Sequence, residues 1–315
     1  MVHQYINNGY HIVLDVNSGA IHVVDEVVYD VIPLFEKHSS EEITGLLREK
    51  YSEEEIREAV EEVAQLKKEG SLFTPDTYEA PLIDFKKRPT VVKALCLHIA
   101  HDCNLACRYC FAEEGEYHGR RALMSYETGK AALDFLIANS GSRRNLEVDF
   151  FGGEPLMNFE VVKQLVAYGR EQEKLHDKHF RFTLTTNGVL LNDDIMEFAN
   201  REMDNVVLSI DGRKEVHDHM RPFRKGAGSY DLIVPKFQKF AKSRNQEKYY
   251  VRGTYTHFNT DFSKDVLHLA DLGFKQISVE PVVAEETDDY AIKEEDLPVL
   301  FKEYDDLAAD MGRRN

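Results

Sequence analysis

The chain has 315 residues, 43% of them hydrophobic, and a formal net charge of −17 at pH 7. This is enough apolar material for a packed core, and the negative charge disfavours nucleic acid and anionic membranes as partners. No apolar run approaches the length needed to cross a bilayer, so a cytoplasmic protein is expected.

Residues 1–78 are predicted to form a small α+β domain. Strand-like runs lie on both sides of Asn17-Ser18-Gly19, a hairpin turn in which Gly19 can take a positive φ. Helical patterns follow at residues 27–37, 40–50 and 53–69. This order suits a winged-helix-like fold, which in many proteins binds DNA. Residues 1–80 hold seventeen acidic and six basic side chains, a net charge of −11 that argues against DNA here.

A domain boundary is predicted after this module. Residues 79–90 contain two prolines and a basic cluster, Lys86-Lys87-Arg88, which is typical of a linker. Residues 91–315 then form the second domain.

Strand and helix patterns alternate from residue 91 onward. Strand-like runs lie near 91–100, 146–151, 180–186, 205–210, 249–257 and 276–281. Helical patterns lie near 126–139, 158–174, 192–202, 229–242, 260–272 and 294–311. Six such pairs indicate parallel βα units and an α/β fold. We expect a partial (β/α)6 barrel, because no sequence remains for the two further units of an eightfold barrel.

Three cysteines follow the first predicted strand. Cys103, Cys107 and Cys110 have the spacing C-x3-C-x2-C and lie at the end of the strand where β/α barrels bind ligands. Three thiolates can hold three irons of a cubane cluster and leave the fourth iron open. Zinc, with His101 or Cys96 as a fourth ligand, is the alternative. A disulfide framework is not expected, because four cysteines are sparse and three of them lie within eight positions.

Cys96 is a separate case, because it lies within the first strand rather than in the loop. Its neighbours Leu95 and Leu97 leave its face of the strand undetermined. A small buried residue is the favoured interpretation, and a thiol that handles substrate is the alternative.

A Gly-Gly-Glu-Pro turn ends the second predicted strand of the barrel. Gly152 and Gly153 allow backbone to approach a ligand closely, and Glu154 offers an acceptor for an ammonium group. Such a turn is by itself commonly an ordinary loop. Its position on the same rim as the cysteines supports a ligand site.

With these motifs in this order, the sequence resembles the radical S-adenosylmethionine (radical SAM) enzymes. Their hallmark is C-x3-C-x2-C with an aromatic residue, here Tyr109, before the last cysteine. The resemblance covers about residues 90–311. It implies that the three cysteines ligate a [4Fe–4S] cluster and that SAM binds the open iron. The residues it assigns to SAM are Gly152, Gly153 and Glu154 near the amino group, Ser209 and Asp211 near the ribose or carboxylate, Arg252 at the carboxylate, and residues 279–282 beside adenine.

The resemblance also implies a reaction. SAM is cleaved reductively to a 5′-deoxyadenosyl radical, which removes hydrogen from a carbon of the substrate. An external donor such as flavodoxin or ferredoxin supplies the electron. No general base is assigned, because the first step does not need one.

The N-terminal module resembles the precursor-recognition domain of enzymes that modify ribosomally made peptides. Such a domain captures a leader peptide as an added strand, with a nearby helix as the other wall. A structural cap on the barrel is the alternative. The whole layout most resembles SPASM-group maturases of SCIFF peptides, which form sactionine or ranthipeptide thioethers between a cysteine sulfur and a backbone α-carbon.

One departure from those maturases is that no cysteine follows Cys110. The SPASM extension, which holds auxiliary iron–sulfur clusters, is absent from this chain. Two other hypotheses are therefore kept. One is another radical SAM peptide or protein modifier, of the sulfatase-maturing, carbon–carbon cross-linking or epimerising type. The other is a non-catalytic leader-binding fragment that retains the barrel.

Overall fold

The structure is a computed structural model and describes residues 1–77 and 90–314. The predicted linker, apart from its last residue, lies outside the described residues. Two compact units make up the described part of the chain, one of residues 1–77 with 308–314 and one of residues 90–307. None of the described helices is both long and apolar enough to cross a membrane.

The first unit begins with a three-stranded antiparallel sheet. Its strands, in sheet order, are β1 (Val2–Asn7), β2 (Tyr10–Asp15) and β3 (Ala20–Val24). The sequence pattern predicted the second hairpin, around Asn17-Ser18-Gly19, but not the first. The first hairpin turns at Asn8 and Gly9, whose φ angles of 50° and 80° suit a two-residue hairpin loop.

Three helices follow this sheet, close to the predicted stretches. They are α1 (Glu26–Phe35), α2 (Ser40–Leu47) and α3 (Glu53–Lys68). Each begins after a residue whose side chain accepts a hydrogen bond from a first-turn N–H, namely Asp25, Ser39 and Ser52. The helices bury their apolar faces against one face of the sheet. The core of this unit consists of Val13, Val28, Val31, Ile32, Ile43, Ile56, Ala59, Val63 and Leu72.

The third strand of this sheet has a free edge and an exposed apolar side. Within the described residues β3 pairs only with β2, so its other edge presents unpaired backbone N–H and C=O groups. Ile21 and Val23 on β3 are 67% and 65% exposed. His22, which points the other way, contacts the carbonyl oxygen of Ser71 at 2.9 Å. This places the edge beside the segment that follows α3.

The second unit is built on seven strands. They are β4 (Ala94–His101), β5 (Ala122–Leu123), β6 (Asn145–Gly152), β7 (His179–Thr186), β8 (Asn205–Ser209), β9 (Tyr249–Tyr255) and β10 (Ile277–Pro281). Their order in the sheet is β10-β9-β8-β7-β6-β4-β5. Six strands are parallel, and the two-residue β5, which the pattern did not predict, is antiparallel to β4.

Helices cover one side of this sheet. They are α4 (Tyr126–Asn139), α5 (Phe159–His176), α6 (Asp193–Glu202), α8 (Tyr230–Ser243) and α9 (Ser263–Asp271). The short α7 (Lys214–Met220) precedes α8, and α10 (Leu297–Arg314) follows β10, its residues 308–314 being grouped with the first unit. All but the short α7 match predicted stretches. Within the described chain the outermost parallel strands, β4 and β10, do not pair with each other. The predicted α/β fold, with six parallel strands and an open partial (β/α)6 arrangement, is confirmed.

The two faces of the parallel strands differ in chemistry. Side chains that point toward the helices are apolar and fully buried, such as Phe150, Phe182 and Val206. Those at alternate positions are polar and partly accessible, including Cys96, Asp149, Thr183, Asn205 and Tyr250. Parallel strands covered on both sides are usually apolar on both. The polar face is therefore the concave inner surface of the partial barrel, where a ligand can bind.

Candidate cofactor and active site

A cavity of about 430 Å³ lies at the carboxyl ends of the parallel strands. It brings together most of the residues that the sequence assigned to the site. Those that line it are Cys103, Cys107, Tyr109, Cys110, Gly152, Gly153, Ser209 and Arg252. Glu154 and Asp211 do not line it. Pro281 and Val282, from the segment expected beside adenine, form part of its wall.

The cysteine loop is held in place by the last residue of α7 and the segment after it. The Ala106 N–H donates to the Pro222 carbonyl and the Arg108 N–H to the Met220 carbonyl, both at 2.9 Å. The Arg224 guanidinium donates to the Cys103 carbonyl at 2.6 Å. These bonds hold the backbone of the cysteine loop in place.

The paired glycines let two backbone segments pack against each other. A Cβ on Gly153 would lie 2.1 Å from the carbonyl oxygen of Asp102, and one on Gly152 would lie 2.5 Å from that of Ala100. The Gly153 N–H donates to the Ala100 carbonyl at 2.7 Å, which draws the strand ends together. The glycines were expected to make room for a ligand. The structure adds that they make room for the loop that carries Cys103.

The Glu154 carboxylate is fully buried behind the cavity wall. It accepts hydrogen bonds from the Leu156 N–H at 3.0 Å, the Thr186 hydroxyl at 2.8 Å and the Asn187 N–H at 2.8 Å. Burial raises the pKa of Glu154 to about 7, against these three bonds. Its carboxylate ties the end of β6 to the end of β7. The sequence had instead led us to expect that the Glu154 side chain contacts the ligand directly.

Asp211 is also buried, and it organises a network beneath the cavity. It accepts hydrogen bonds from the Tyr109 hydroxyl at 2.7 and 2.8 Å, from Arg221 Nε at 3.0 Å and from the Thr254 N–H at 3.0 Å. The Arg221 guanidinium carbon lies 5.3 Å from the Tyr109 ring centre. Asp211 therefore supports Tyr109 and Arg221, both of which line the cavity.

Arg221 and Asn187 are site residues that the sequence interpretation missed. Both line the cavity. Arg221 lies close enough to Cys107 to lower the pKa of that thiol, although burial outweighs it. The Asn187 side-chain amide donates to Cys103 Sγ at 3.6 Å. Neither residue belongs to a strong local motif, so only the folded arrangement shows their position.

The three cysteines fit an iron–sulfur cluster on chemical grounds. Burial raises the pKa of Cys103 to about 12 and that of Cys107 to about 11, and a bound metal cation would favour the thiolate form of both. The Leu105 N–H points at Cys103 Sγ at 3.5 Å, in addition to the Asn187 amide. Donors of this kind stabilise thiolates bound to such clusters. The Tyr117 hydroxyl in the cavity wall is buried and lacks a partner in the described part of the chain, so it is available to a ligand.

Neither proposed fourth ligand for zinc lines this cavity. His101 stacks near Tyr117, with ring centres 4.9 Å apart. Cys96 lines a different cavity and is exposed, so the expectation of a small buried residue at this position is wrong. It is accessible because it lies on the concave face of β4, and among the described residues the core helices pack against the opposite face. In the described residues no three His, Cys, Asp or Glu side chains are arranged to hold one metal ion.

Arg252 and Ser209 occupy the wall of the cavity opposite the glycines. Arg252 is about half exposed and forms an ion pair with Glu280 across neighbouring strands β9 and β10. A ligand carboxylate would share or replace that partner. Ser209, at the end of β8, is half-buried.

A second cavity, of about 680 Å³, lies toward the amino ends of the same strands. Four strands contribute to both cavities through inward positions two residues apart, which places them about 7 Å from each other. The pairs are Asp149 and Phe151, Thr183 and Thr185, Asn205 and Val207, and Tyr250 and Arg252. The two cavities thus follow each other along one concave face.

Comparison with known proteins agrees with this geometry. The Radical SAM superfamily matches residues 97–272, which is just over half of the chain. The chain therefore belongs to the radical SAM superfamily. An uncharacterised protein of Methanocaldococcus jannaschii is 31% identical over 189 residues, covering 59% of this chain and 62% of that protein.

Two further relatives have more specific descriptions. The radical SAM cyclopropyl synthase TigE of Paramaledivibacter caminithermalis is 23% identical over 54% of this chain and 38% of its own length. The cysteine-type anaerobic sulfatase-maturating enzyme of Clostridium novyi is 28% identical over 42% of this chain and 36% of its own. The chain thus spans between 36% and 62% of the length of these three curated relatives.

Solved structures share the fold. Native anSMEcpe with bound AdoMet matches with a TM-score of 0.63 at 20% identity, over 71% of this chain and 63% of that chain. Streptococcus suis SuiB bound to S-adenosylmethionine matches with a TM-score of 0.54 at 17% identity, over 100% of this chain and 70% of that chain. Both hold SAM, the ligand that the cavity was expected to bind.

Proposed function

We propose that this radical SAM enzyme holds a [4Fe–4S] cluster on Cys103, Cys107 and Cys110 and binds SAM beside it. When bound, the cluster would supply the electron that cleaves SAM to methionine and the 5′-deoxyadenosyl radical. The observation that carries the proposal is that the three thiols, with two N–H donors aimed at Cys103, share one cavity with polar groups suited to SAM.

The residues of this chain then bind and orient SAM. Arg252 pairs with the carboxylate, and Ser209 donates to the carboxylate or the ribose. The backbone at Gly152 and Gly153 faces the amino group, while Glu154 and Asp211 support the wall from behind. No side chain is asked to move a proton in SAM cleavage. The task of the site is positioning and the exclusion of water.

We further propose that the substrate is a ribosomal precursor peptide and that residues 1–78 form its recognition domain. The free edge of β3 offers main-chain groups to an incoming strand, and Ile21 and Val23 offer apolar contacts beside it. The net charge of −11 on residues 1–80 favours a leader peptide with basic residues. The structure of anSMEcpe with AdoMet and the Cp18Cys peptide, which aligns over 68% of this chain, supports a peptide substrate.

Thioether formation is the specific reaction we propose. The 5′-deoxyadenosyl radical would take one hydrogen atom from a backbone α-carbon. A cysteine thiol of the same peptide would lose its proton to solvent and bond to that carbon, and the electron released would return to the oxidised cluster, so that the peptide loses two hydrogens per link. The support is the resemblance of the cysteine motif and domain order to thioether-forming maturases. A sulfatase-maturing type of reaction is the second candidate, because a sulfatase-maturating enzyme is among the relatives.

Mass spectrometry of a co-expressed cysteine-rich precursor tests the reaction. A thioether removes two hydrogens per link and makes the linked cysteine resistant to alkylation. A carbon–carbon link removes the same mass but leaves every cysteine reactive, and epimerisation leaves the mass unchanged. The Cys103→Ala variant is the matched control, and a leader-binding fragment without activity would give the same unmodified peptide with both proteins.

Peptide capture has its own test. Replacement of Ile21 by proline removes one backbone N–H from β3 and should weaken leader binding. The matched control is proline at Ile6, which is 59% exposed and lies on β1 at the opposite edge of the sheet. Equal leader affinity in both variants would move the binding site away from this edge. Circular dichroism of both variants reports whether the sheet still forms.

A further inference from the structure

Asp149 lies where the two cavities of the concave face meet. It lines the cavity at the amino ends of the strands. The one hydrogen bond of its carboxylate in the described structure comes from the Thr185 hydroxyl at 3.4 Å, and Thr185 lines the cofactor cavity. Phe151, two residues further along β6, lines the cofactor cavity as well. A group bound at the edge of the cofactor cavity is therefore within reach of the Asp149 carboxylate.

The other carboxylates that line the two cavities are less well placed to meet a substrate. Four of them already form an ion pair or accept a hydrogen bond from a backbone N–H, namely Glu114, Glu147, Asp204 and Glu280. A fifth, Glu247, is exposed and lies before β9, at the outer end of the amino-end cavity. Asp149 forms no ion pair in the described part of the chain and is partly buried, so its oxygens can accept a proton from a ligand.

The proposed thioether reaction has to remove one proton that the radical does not take. The 5′-deoxyadenosyl radical takes a hydrogen atom from the α-carbon, but the cysteine sulfur that bonds to this carbon starts as a thiol. An ordinary cysteine thiol has a pKa of about 8.5, so most of it is protonated at pH 7. A base beside the sulfur would supply the thiolate, which is the nucleophilic form.

The surroundings of Asp149 suit a base of this kind. Burial raises its pKa to about 6, with Thr185 and Arg252 opposing the shift. The carboxylate is then still mostly ionised at pH 7, and it is a stronger base than an exposed aspartate, whose pKa is about 4. Cys96, opposite Asp149 on the neighbouring strand β4, is exposed. Solvent therefore reaches this part of the concave face and can accept the proton afterwards.

We propose that Asp149 takes the thiol proton of the precursor cysteine that becomes the thioether. The inference rests on the proposed function and names a catalytic residue for it. The proton passes from Sγ to the Asp149 carboxylate and from there to solvent, and the sulfur forms its bond with the α-carbon. The 5′-deoxyadenosyl radical has already taken the hydrogen atom of that carbon, and the electron released returns to the oxidised cluster. The peptide thus loses two hydrogens per link.

A purely structural role for Asp149 would have a different signature. The carboxylate has few polar contacts, and its burial favours the protonated form, so asparagine at this position should not destabilise the protein at pH 7. Loss of cross-linking in a variant that is at least as stable as the wild-type protein therefore indicates a role in the reaction. This is the pattern expected of a catalytic group that is held in place at a cost in stability.

The ratio of two products tests the proposal. Reconstituted wild-type and Asp149→Asn proteins are given SAM, dithionite and the cysteine-rich precursor, which is purified unmodified from co-expression with Cys103→Ala. Both 5′-deoxyadenosine and thioether are quantified. We expect Asp149→Asn to release 5′-deoxyadenosine within about threefold of the wild-type rate, and to form about a hundredfold fewer thioethers per 5′-deoxyadenosine, the lower end of what a general base contributes.

Two further variants and a binding measurement complete the experiment. Glu247→Gln is the matched control, because it changes a carboxylate to an amide at an exposed position of the same cavity, and it should leave the product ratio unchanged. Asp149→Glu keeps a carboxylate and should restore part of the thioether formation. Precursor affinity, titrated without reductant, should be the same for all these proteins, which would place the loss in the chemical step. Iron content and urea unfolding are measured alongside.

The wild-type protein separates this inference from the proposed function. If iron-loaded wild-type protein cleaves no SAM or forms no thioether, the proposed function itself fails. If it forms thioethers and Asp149→Asn forms as many per 5′-deoxyadenosine, only the role of Asp149 fails. An equal loss in Glu247→Gln, or a loss of precursor affinity in Asp149→Asn that accounts for the missing thioethers, would also overturn that role.

Discussion

The two cavities on the concave face are built differently, although the same strands contribute to both. At the carboxyl ends, Glu154 and Asp211 each accept at least three hydrogen bonds, and the glycine backbones pack too closely for a Cβ. At the amino ends, the one hydrogen bond of the Asp149 carboxylate in the described structure comes from Thr185 at 3.4 Å. Cys96 beside it is exposed. The buried carboxylates at the carboxyl ends are thus held by several hydrogen bonds, whereas Asp149 and Cys96 at the amino ends have few polar contacts.

This difference separates two requirements of the proposed reaction. A cofactor site has to hold its groups in position before the ligand arrives, because small displacements there strongly lower the reaction rate. A cavity that receives part of a peptide gains from side chains that can adapt to it. The structure meets the first requirement with buried backbone and carboxylate contacts, and leaves room for the second along the same strands.

The largest expected effect is on iron loading. It should distinguish the three cysteines at the carboxyl ends of the strands from Cys96 at the amino ends. Replacement of Cys103, Cys107 or Cys110 by alanine should abolish iron loading, whereas Cys96→Ala should retain about four irons per chain, as a cubane requires. Iron and sulfide analysis after anaerobic reconstitution measures this. Loss of iron in the Cys96 variant would break the distinction, and stoichiometric zinc in the wild-type protein would restore the zinc alternative.

The next effect concerns the buried charge network. Asp211→Asn leaves the Arg221 guanidinium buried without its counter-charge, so we expect a loss of about 3–5 kcal/mol in the free energy of unfolding. The control is Asp193→Asn, which removes an exposed ion pair with Lys239 and should change stability by less than about 1 kcal/mol. Urea unfolding of both variants compares them. Equal losses of unfolding free energy in the two variants would show that the Asp211 network does not stabilise the carboxyl ends of the strands as described.

A smaller effect is expected from the close packing of the glycines. Gly153→Ala places a Cβ against the Asp102 carbonyl and should destabilise the protein by about 1–3 kcal/mol and lower its iron occupancy. Gly119→Ala is the matched control, because its nearest neighbour would be 3.4 Å away. Thermal unfolding and iron analysis of both variants check the difference, and an unaltered Gly153→Ala protein would contradict it.

The smallest effect is a pH dependence at the amino end. Burial raises the pKa of Asp149 to about 6, with Thr185 opposing the shift. Since the folded-state pKa lies above the unfolded value, the folded protein binds the proton more tightly, and stability falls as pH rises from about 4 to about 6.

The Asp149→Asn variant removes this dependence. At pH 7 it should be more stable than the wild-type protein by about 1–2 kcal/mol, a value reduced for partial solvent screening. Near pH 4 the two proteins should be equally stable. Urea titrations across this range measure the difference, and a constant offset at every pH would contradict the assignment.

The fold was largely predictable because its signals are periodic. Five of the six predicted parallel strands agree with the observed bounds within two residues, and β4 begins three residues later than expected. The elements that were not predicted are short or depend on a turn. The two residues of β5 have no period to detect, and the α7 segment gives too few turns. The Asn8-Gly9 hairpin is the exception, since its residue types carried a turn signal that was overlooked.

Site prediction was less complete, because direction and partners depend on the fold. The cysteine spacing located the cavity, but the Glu154 side chain points to the end of β7 and not into the cavity. Arg221 reaches the cavity only because Asp211, ten residues earlier, faces it. Cys96 is exposed because it lies on the concave side of β4, which local sequence did not determine.

The exposed edge of β3 has a consequence for handling the protein. A strand with unpaired N–H and C=O groups, flanked by Ile21 and Val23, is a template for a second copy as well as for a peptide. Purified protein should therefore self-associate at high concentration through this edge. A bound leader peptide would occupy the edge and keep the protein monomeric, so the peptide would act as a solubility factor for its own enzyme.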